Sequence, residues 1–183
     1  VGEVVMGYDN FGYDYALDSY KIINSGDYHV ESAIPNSHWI ENVAFAGYSV
    51  ILRNAMTRET QEVFVVKNDE DPNKITWFAS KIHELSIAAE KFRRHKNMGK
   101  AAEYYGMLNE LKSQLAFMKD HYNRDGKLIL YKTLDYGYSH TIHKSQGGSY
   151  EKVLIVEDSL NLFNMDQELK QQLKYVALSR AKQ

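Results

Sequence analysis

The sequence predicts a mixed fold of the α+β and α/β types: a small β barrel of the SH3 or OB type, a helical hairpin, and part of an α/β domain. Three patterns predict it. Short apolar runs alternate with turn residues over residues 1–70, apolar residues recur at helical spacing over 71–126, and a continuous apolar run precedes a last helix within 127–183. We take these three ranges as the predicted domains.

The first range reads as β structure. Its short runs are rich in Val, Ile, Tyr and Phe, and turn residues such as Asn24, Ser25, Gly26 and Asp27 separate them. Short strands at this spacing are typical of a small barrel. Strands are expected at residues 4–6, 21–23, 28–32, 48–53 and 62–67, and residues 7–20 are expected to form a long polar loop.

Two helices are expected next. Asp71 supplies an N-cap and Pro72 suits the first helical position, and apolar residues then recur at helical spacing up to Phe92. Gly99 can end this helix. A second apolar stripe runs from Ala101 to Tyr122, so the two helices are expected to form an antiparallel hairpin.

The last range changes pattern after Gly126. Residues 127–132 indicate a strand, 141–148 a polar glycine turn, 153–156 a strand buried on both faces, and 166–182 a helix. This order is typical of a nucleotide-handling α/β domain. The inward positions of the last helix are expected to be Leu169, Leu173, Val176 and Ala177.

The first chemically suggestive segment is the turn at 141–148, with the sequence Thr-Ile-His-Lys-Ser-Gln-Gly-Gly. Thr141 and His143 offer donors to a phosphate, Lys144 adds a positive charge, and the glycines allow backbone N–H groups to approach a polyanion. A turn of this kind is also common without any function.

The second segment is Tyr-Val-Ala-Leu-Ser-Arg-Ala at 175–181, near the end of the last helix. A rigid helix would place Arg180, whose planar guanidinium is always charged and suits a phosphate that gains charge in a transition state. Taken alone, the segment favours the simpler interpretation of an arginine on the surface of an amphipathic helix.

The two segments in this order resemble motifs V and VI of superfamily 1 DNA helicases, in the branch that contains the Dda, RecD and Pif helicases. The pattern T-x-H-K-[SA]-Q-G, then an apolar strand, then Y-V-A-[LV]-[ST]-R is present here. Residues 1–6 and 22–26 also resemble the start of the SH3-like insertion of these enzymes. The resemblance implies that residues 127–183 are part of the second RecA-like domain, which has the P-loop NTPase fold.

The resemblance also implies roles for the matching residues. Thr141 and His143 would contact the phosphate backbone of single-stranded DNA, together with Lys144. Gln146 and Gly147 would couple that contact to the nucleotide.

Arg180 would be the arginine finger that reaches the γ-phosphate of ATP, and Tyr175 would pack the helix in place. Relatives often carry an acidic residue at the position of Ser149, although Dda-like members also have Ser there.

Some helicase motifs are missing from the chain. It contains no G-x-x-x-x-G-K-[ST] phosphate loop, and Asp69 and Glu70 fit the start of a helix better than a magnesium-binding Walker B strand. Val1 is not Met, and the chain stops directly after motif VI. We therefore expect a C-terminal fragment that does not hydrolyse ATP alone, whose parent enzyme uses ATP and Mg²⁺ and moves 5′ to 3′ on single-stranded DNA.

Other candidate sites are weaker. The basic residues near His95 favour a solvated helix end, since cations complement a helix C-terminus. None of the seven histidines forms an H-x-x-x-H pair, so no metal site is expected. Trp39 lies in a polar stretch and is the aromatic residue to test for base stacking.

A rival interpretation is a non-catalytic docking module of a replication or recombination protein. The near-neutral net charge of the chain, −2, suits that class of protein. The helicase half of a conjugative relaxase shares the same motifs. The expected partners of a helicase fragment are single-stranded DNA, the missing N-terminal RecA-like domain, and replication, repair or recombination proteins. With no cysteine and no long apolar run, the chain is expected in the cytoplasm of a bacterial or phage-infected cell.

Overall fold

The computed structural model describes residues 1–14, 18–137, 153, 155 and 166–179. The chain divides into two compact units, Val1–Gly137 and Tyr138–Gln183. The mixed α and β composition predicted from the sequence is confirmed, with antiparallel sheets and helices present together. No helix among the described residues is long and apolar enough to cross a membrane.

The described residues form nine strands and two helices in the first unit and one helix in the second. The strands are β1 Val4–Gly7, β2 Phe11–Asp14, β3 Ser19–Ile22, β4 Asp27–Ile40, β5 Val43–Asn54, β6 Thr60–Val66, β7 His121–Tyr122, β8 Leu128–Leu130 and β9 Leu134–Tyr136. The helices are α1 Pro72–Arg94, α2 Met98–Lys112 and α3 Gln167–Leu178.

The main sheet has five antiparallel strands in the order β6-β5-β4-β1-β9. Its largest feature is the hairpin of β4 and β5, in which Trp39 pairs with Ala44 and Ile40 with Val43. Glu41 has a φ of 51° in the turn between them, the left-handed conformation that tight hairpin turns require.

The predicted closed barrel is not formed by the strands that the structure describes. Their sheet order is linear, with β6 and β9 at its two edges. The apolar runs predicted short strands, whereas β4 continues through the polar residues Asn36, Ser37 and His38, because their backbone groups pair with β5. The hairpin of β4 and β5 continues well past the residues that pair with β1, so it lengthens the sheet without joining its two edges.

The predicted loop over residues 7–20 is also wrong in part, because it contains β2 and the first half of β3. Phe11 pairs with Ile22 and both are buried, and the rings of Tyr13 and Tyr20 meet edge to face at 5.0 Å. Cross-strand aromatic pairs of this kind stabilise a hairpin although the surrounding sequence is polar.

Helix α1 begins where the sequence predicts. The Asp71 side chain accepts a hydrogen bond from the Asn73 backbone N–H at 2.9 Å, and Pro72 is the first helical residue. The acidic pair at 69–70 therefore leads into a helix, as expected. The helix ends at Arg94 with His95 as its C-cap, and Gly99 lies inside α2.

The second predicted helix is too long. Helix α2 ends at Lys112, and the chain then crosses to the sheet edge, where the Val66 N–H donates to Ala116 O and the Ala116 N–H donates to Phe64 O. Leu115, Ala116 and Phe117 are buried there. Leu111, Leu115 and Met118 have the spacing of a helical stripe, but backbone pairing of Ala116 with β6 selects the extended form.

Two hydrophobic cores lie on the two faces of β6. Val63 and Val65 belong to one core with Ile22, Tyr28 and other residues of β1 to β5. Phe64 and Val66 point the other way, into a core with residues of α1. This alternation is the period of a strand, and it explains why a short continuous apolar run serves both cores.

The strand predicted at 127–132 is confirmed as β8, which pairs with β7. The predicted turn at 141–148 lies outside the described residues, and so does the strand at 153–156 apart from Val153 and Ile155. Helix α3 is confirmed: Leu173 and Ala177 are buried, whereas Leu169 is exposed.

Candidate nucleic-acid interface

The residues expected to contact DNA or nucleotide lie outside the part of the chain that the structure describes. They are Thr141, His143, Lys144, Gln146, Gly147 and Arg180. The described residues show the helix that leads to Arg180, a basic helix end, and an aromatic groove.

Helix α3 is capped at both ends. At its start, the Asp166 side chain accepts hydrogen bonds from the backbone N–H groups of Glu168 at 2.6 Å and Leu169 at 3.4 Å. At its end, the Ser179 N–H donates to Tyr175 O at 2.9 Å and its hydroxyl donates to Val176 O at 2.9 Å. Such caps satisfy backbone groups that a helix end leaves unpaired, so the helix is well defined up to the residue before Arg180.

The packing role expected of Tyr175 is not observed. Its side chain is 74% exposed, and Leu178 is exposed on the same helix. The buried stripe of α3 is Leu173 and Ala177, four residues apart, and position 175 lies about 200° around the helix from 173. The helical period itself therefore places Tyr175 away from the buried face.

The basic end of α1 is partly neutralised by its own helix. Glu90 accepts hydrogen bonds from Arg93 Nε at 2.7 Å and from Arg94 Nε at 2.9 Å. These bonds, first from Arg93 and then from Arg94, lower the pKa of Glu90 to about 2. This geometry supports the interpretation of a solvated helix end, because the Glu90 carboxylate already binds the guanidinium groups of Arg93 and Arg94 that a DNA phosphate would need.

An aromatic groove lies between the β4–β5 turn and helices α1 and α2. We define this aromatic groove by Trp39, Trp77, Lys81, Glu84, Tyr104 and Met107, together with Glu41 and Glu110. Its volume is about 590 Å³. Trp39 is 65% exposed, as the polarity of the surrounding sequence predicts.

The groove has an internal cation that is already engaged. Lys81 Nζ lies 3.3 Å from Glu41 Oε1 and 5.6 Å from the centre of the Trp77 ring. One face of Trp77 is therefore covered by the lysine of the same helix, and Trp39 remains the open ring. The sequence singles out Trp39 but not the rest of the groove, because aromatic residues such as Trp77 and Tyr104 within predicted helices are more simply interpreted as core residues.

Packing behind the groove holds its walls together. Phe45, directly after the turn, meets the ring of Phe78 edge to face at 5.9 Å and lies 6.3 Å from the centre of the Trp77 ring. On the same face of the hairpin, His38 is the cross-strand partner of Phe45, and its Nε2 lies 3.2 Å from Gln114 Oε1. These contacts tie the hairpin to α1 and to the segment that follows α2.

No metal site is found among the residues that the structure describes, because no group of three or more His, Cys, Asp or Glu side chains converges there. His121 is half-buried and meets the Phe117 ring edge to face at 5.0 Å. Burial lowers the pKa of His121, and the nearby charge of Lys119 lowers it further. Its ring serves as a packing contact for Phe117.

Comparison with protein families bears on the C-terminal segment. Residues 136–183 match the family described as the UvrD-like helicase C-terminal domain. The match supports a superfamily 1 helicase C-terminus, and it contains both segments that the sequence singled out, 141–148 and 175–181. No curated protein matches the chain.

The UvrD-like match covers about a quarter of the chain, and helix α3 is its described part. The helicase match and the aromatic groove thus lie in different parts of the sequence. DNA is the partner that a helicase domain suggests, and ATP with Mg²⁺ is the usual requirement of such enzymes.

Proposed function

We propose that this chain is the C-terminal part of an ATP-dependent DNA helicase of superfamily 1, in the Dda, RecD and Pif branch. The observation that carries the proposal is the UvrD-like match over residues 136–183, because both motif-like segments fall inside it. Residues 127–183 would belong to the second RecA-like domain. Residues 1–70 and 71–126 would form a β insertion and its helical arm.

In this proposal, segment 141–148 grips the backbone of single-stranded DNA. Thr141 and His143 donate hydrogen bonds to phosphates, and Lys144 adds charge. Contacts of this kind carry no sequence information, which suits an enzyme that moves along any strand. Movement in the 5′ to 3′ direction is the expectation from the branch.

Arg180 acts as the arginine finger, and Gln146 and Gly147 contact the nucleotide. The cap at Ser179 supports this role, because a helix that is ordered to its last turn can hold the next residue in place. ATP with Mg²⁺ supplies the energy of translocation in the parent enzyme. A guanidinium in this position offers two parallel N–H donors to phosphate oxygens.

The test is single-strand-stimulated ATPase of the polypeptide that carries this sequence together with a phosphate-loop domain. Arg180→Ala is expected to lower kcat by about 10²–10³-fold while single-strand affinity stays within about twofold. Arg180→Lys keeps the charge but not the fork, so it should recover only part of the rate. Arg124→Ala, at an exposed turn of the first unit, is the matched control.

A second measurement addresses the DNA contact with the chain itself. Anisotropy of a labelled oligothymidylate is titrated with the chain and with Thr141→Ala/His143→Ala. The double variant should bind DNA more weakly whatever the base sequence of the oligonucleotide. Its affinity should also depend less on salt concentration if a charged contact is lost. Equal turnover for Arg180→Ala and Arg124→Ala would contradict the arginine-finger assignment. A DNA affinity of the double variant equal to that of the unmodified chain would contradict the DNA contact of Thr141 and His143.

A further inference from the structure

We propose that the aromatic groove binds an arginine- or lysine-rich peptide segment of a partner protein. The groove belongs to the first unit and is independent of the residues that carry the helicase proposal. The inference rests on the open ring of Trp39, the carboxylates around it, and the size of the groove.

Trp39 provides the anchor. The residue is 65% exposed near the end of the β4–β5 hairpin, where its cross-strand neighbour Ala44 has only a methyl side chain. Tryptophan is the best partner for a cation over an aromatic face, and arginine is the cation most often found there. The pairing of Lys81 with Trp77 shows that a cation over an aromatic ring is already part of this surface.

The charge of the groove selects the partner. Glu41, Glu84 and Glu110 face a single lysine, Lys81, whose charge is paired with Glu41. Neither Glu84 nor Glu110 makes an ion pair among the residues that the structure describes. Two carboxylates therefore remain to complement cations on an incoming peptide.

The same charge disfavours nucleic acid. A single strand that stacked a base on Trp39 would bring its phosphates close to Glu84 and Glu110, and nucleic-acid grooves are positively charged for this reason. The sequence context alone makes Trp39 a candidate to test for base stacking. The carboxylates brought in by α1 and α2 favour a basic peptide instead.

The size of the groove fits side chains from a short segment. A volume of about 590 Å³ falls within the roughly 300–1,000 Å³ of pockets that hold a small ligand. Met107 and Leu111 on α2 and Leu85 on α1 provide an apolar lining for an aliphatic residue next to the cation. Met107 is 48% exposed, and methionine adapts its shape to varied partners.

The chain contains two tryptophans, and both line the groove, so intrinsic fluorescence reports its occupancy directly. The probe is the labelled peptide Arg-Leu-Arg-Leu-Arg, with Glu-Leu-Glu-Leu-Glu as the charge-reversed control. The competing ligand is an oligothymidylate of about 12 nucleotides, within the usual site size of single-strand binding folds. Affinity is measured by anisotropy at several salt concentrations.

The basic peptide is expected to bind saturably and to change the tryptophan emission, and the acidic peptide is not. Trp39→Leu, which keeps an apolar residue but removes the ring, should weaken peptide binding by about 3–30-fold. Glu84→Gln/Glu110→Gln should weaken it as well and flatten its salt dependence. Glu59→Gln/Glu62→Gln, at exposed positions of and next to β6, is the matched control and should bind normally.

Circular dichroism establishes that the Trp39→Leu protein is folded before its affinity is interpreted. The proposal is overturned if the basic peptide does not bind. It is also overturned if Trp39→Leu and Glu84→Gln/Glu110→Gln both bind the peptide as strongly as the control Glu59→Gln/Glu62→Gln. Oligothymidylate binding that Trp39→Leu weakens would identify the surface as a nucleic-acid site and overturn it too. Oligothymidylate binding that is insensitive to Trp39→Leu, alongside sensitive peptide binding, supports two separate sites.

Discussion

Glu70 fastens the start of α1 to the start of β5, and replacing it should loosen the first unit. Its side chain is only 6% exposed. One carboxylate oxygen accepts the backbone N–H of Ala46, and the other accepts the Asp71 N–H at 2.9 Å and Lys74 Nζ at 3.0 Å. Lys74 Nζ also donates to Ala44 O at 2.7 Å, so one small network joins the helix to the strand.

Glu70→Gln keeps the shape of the side chain but leaves one oxygen to accept three donors. At least one donor then faces an NH₂ group, and a charge-assisted hydrogen bond is lost. Losing such a bond at a buried site costs roughly 1.5–3 kcal/mol. In a unit of this size each kcal/mol moves Tm by about 2–4 °C, so we expect a fall of about 3–12 °C.

The effect should also depend on pH. Burial by itself would raise the pKa of Glu70, but the hydrogen bonds from Asp71, Ala46 and Lys74 outweigh it and lower the pKa below its usual range. A carboxyl whose pKa is lower in the folded state stabilises the fold above its unfolded pKa of about 4.3. This contribution is lost as pH falls through the folded pKa, so the gap between wild type and Glu70→Gln should narrow there.

The assay is thermal unfolding followed by far-ultraviolet circular dichroism, from neutral to acidic pH. Glu62→Gln is the matched control, because Glu62 is an exposed carboxylate on β6. It should change stability by less than about 0.5 kcal/mol. Equal melting temperatures for the two variants, or a loss in Glu70→Gln that is the same at all pH values, would refute the reasoning.

Two further predictions concern the same unit. A Cβ added at Gly47 would lie 2.3 Å from Val65 O and 2.6 Å from Phe64 Cζ, whereas one added at Gly106 meets nothing within 4 Å. In denaturant unfolding, Gly47→Ala should therefore lower the free energy of unfolding by about 1–3 kcal/mol. Gly106→Ala, in the middle of α2, should raise it by up to about 1 kcal/mol. A loss of stability in Gly106→Ala as large as that in Gly47→Ala would contradict this. The pKa of His121 is lowered in the fold, so the unfolded chain binds a proton first and stability should fall as pH drops below about 6.5 and through the folded pKa. His121→Gln should show a smaller loss between neutral pH and about pH 5, and an unchanged pH profile would show that other groups cause it.

The elements that the sequence predicted well are those whose signals are local. Asp71 and Pro72 mark the start of α1 because an N-cap bond and a fixed φ act within one helical turn. Asp166 marks the start of α3 through its N-cap hydrogen bonds alone. The two functional segments, 141–148 and 175–181, are recognised from residue order alone, and the UvrD-like match falls on the range that contains them.

The errors occur where backbone pairing between distant residues decides the structure. Leu115 and Met118 continue the helical spacing of α2, yet the backbone of Ala116 between them pairs with β6, about fifty residues earlier in the chain. The polar residues of β4 are strand residues only because β5 lies beside them. A barrel could not be distinguished from an open sheet, since strand order depends on which edges meet and leaves little trace in any single strand.

The sequence by itself determined the local elements and the order of chemically distinctive residues, because caps, periodicity and motifs act over a few neighbouring positions. Only the tertiary structure decided that Trp39 of a hairpin lines one groove with Trp77 and Glu84 of α1 and Glu110 of α2. That assembly depends on the packing of Phe45 against Phe78, a contact between residues whose separate patterns indicate nothing more than a buried strand and a buried helix face.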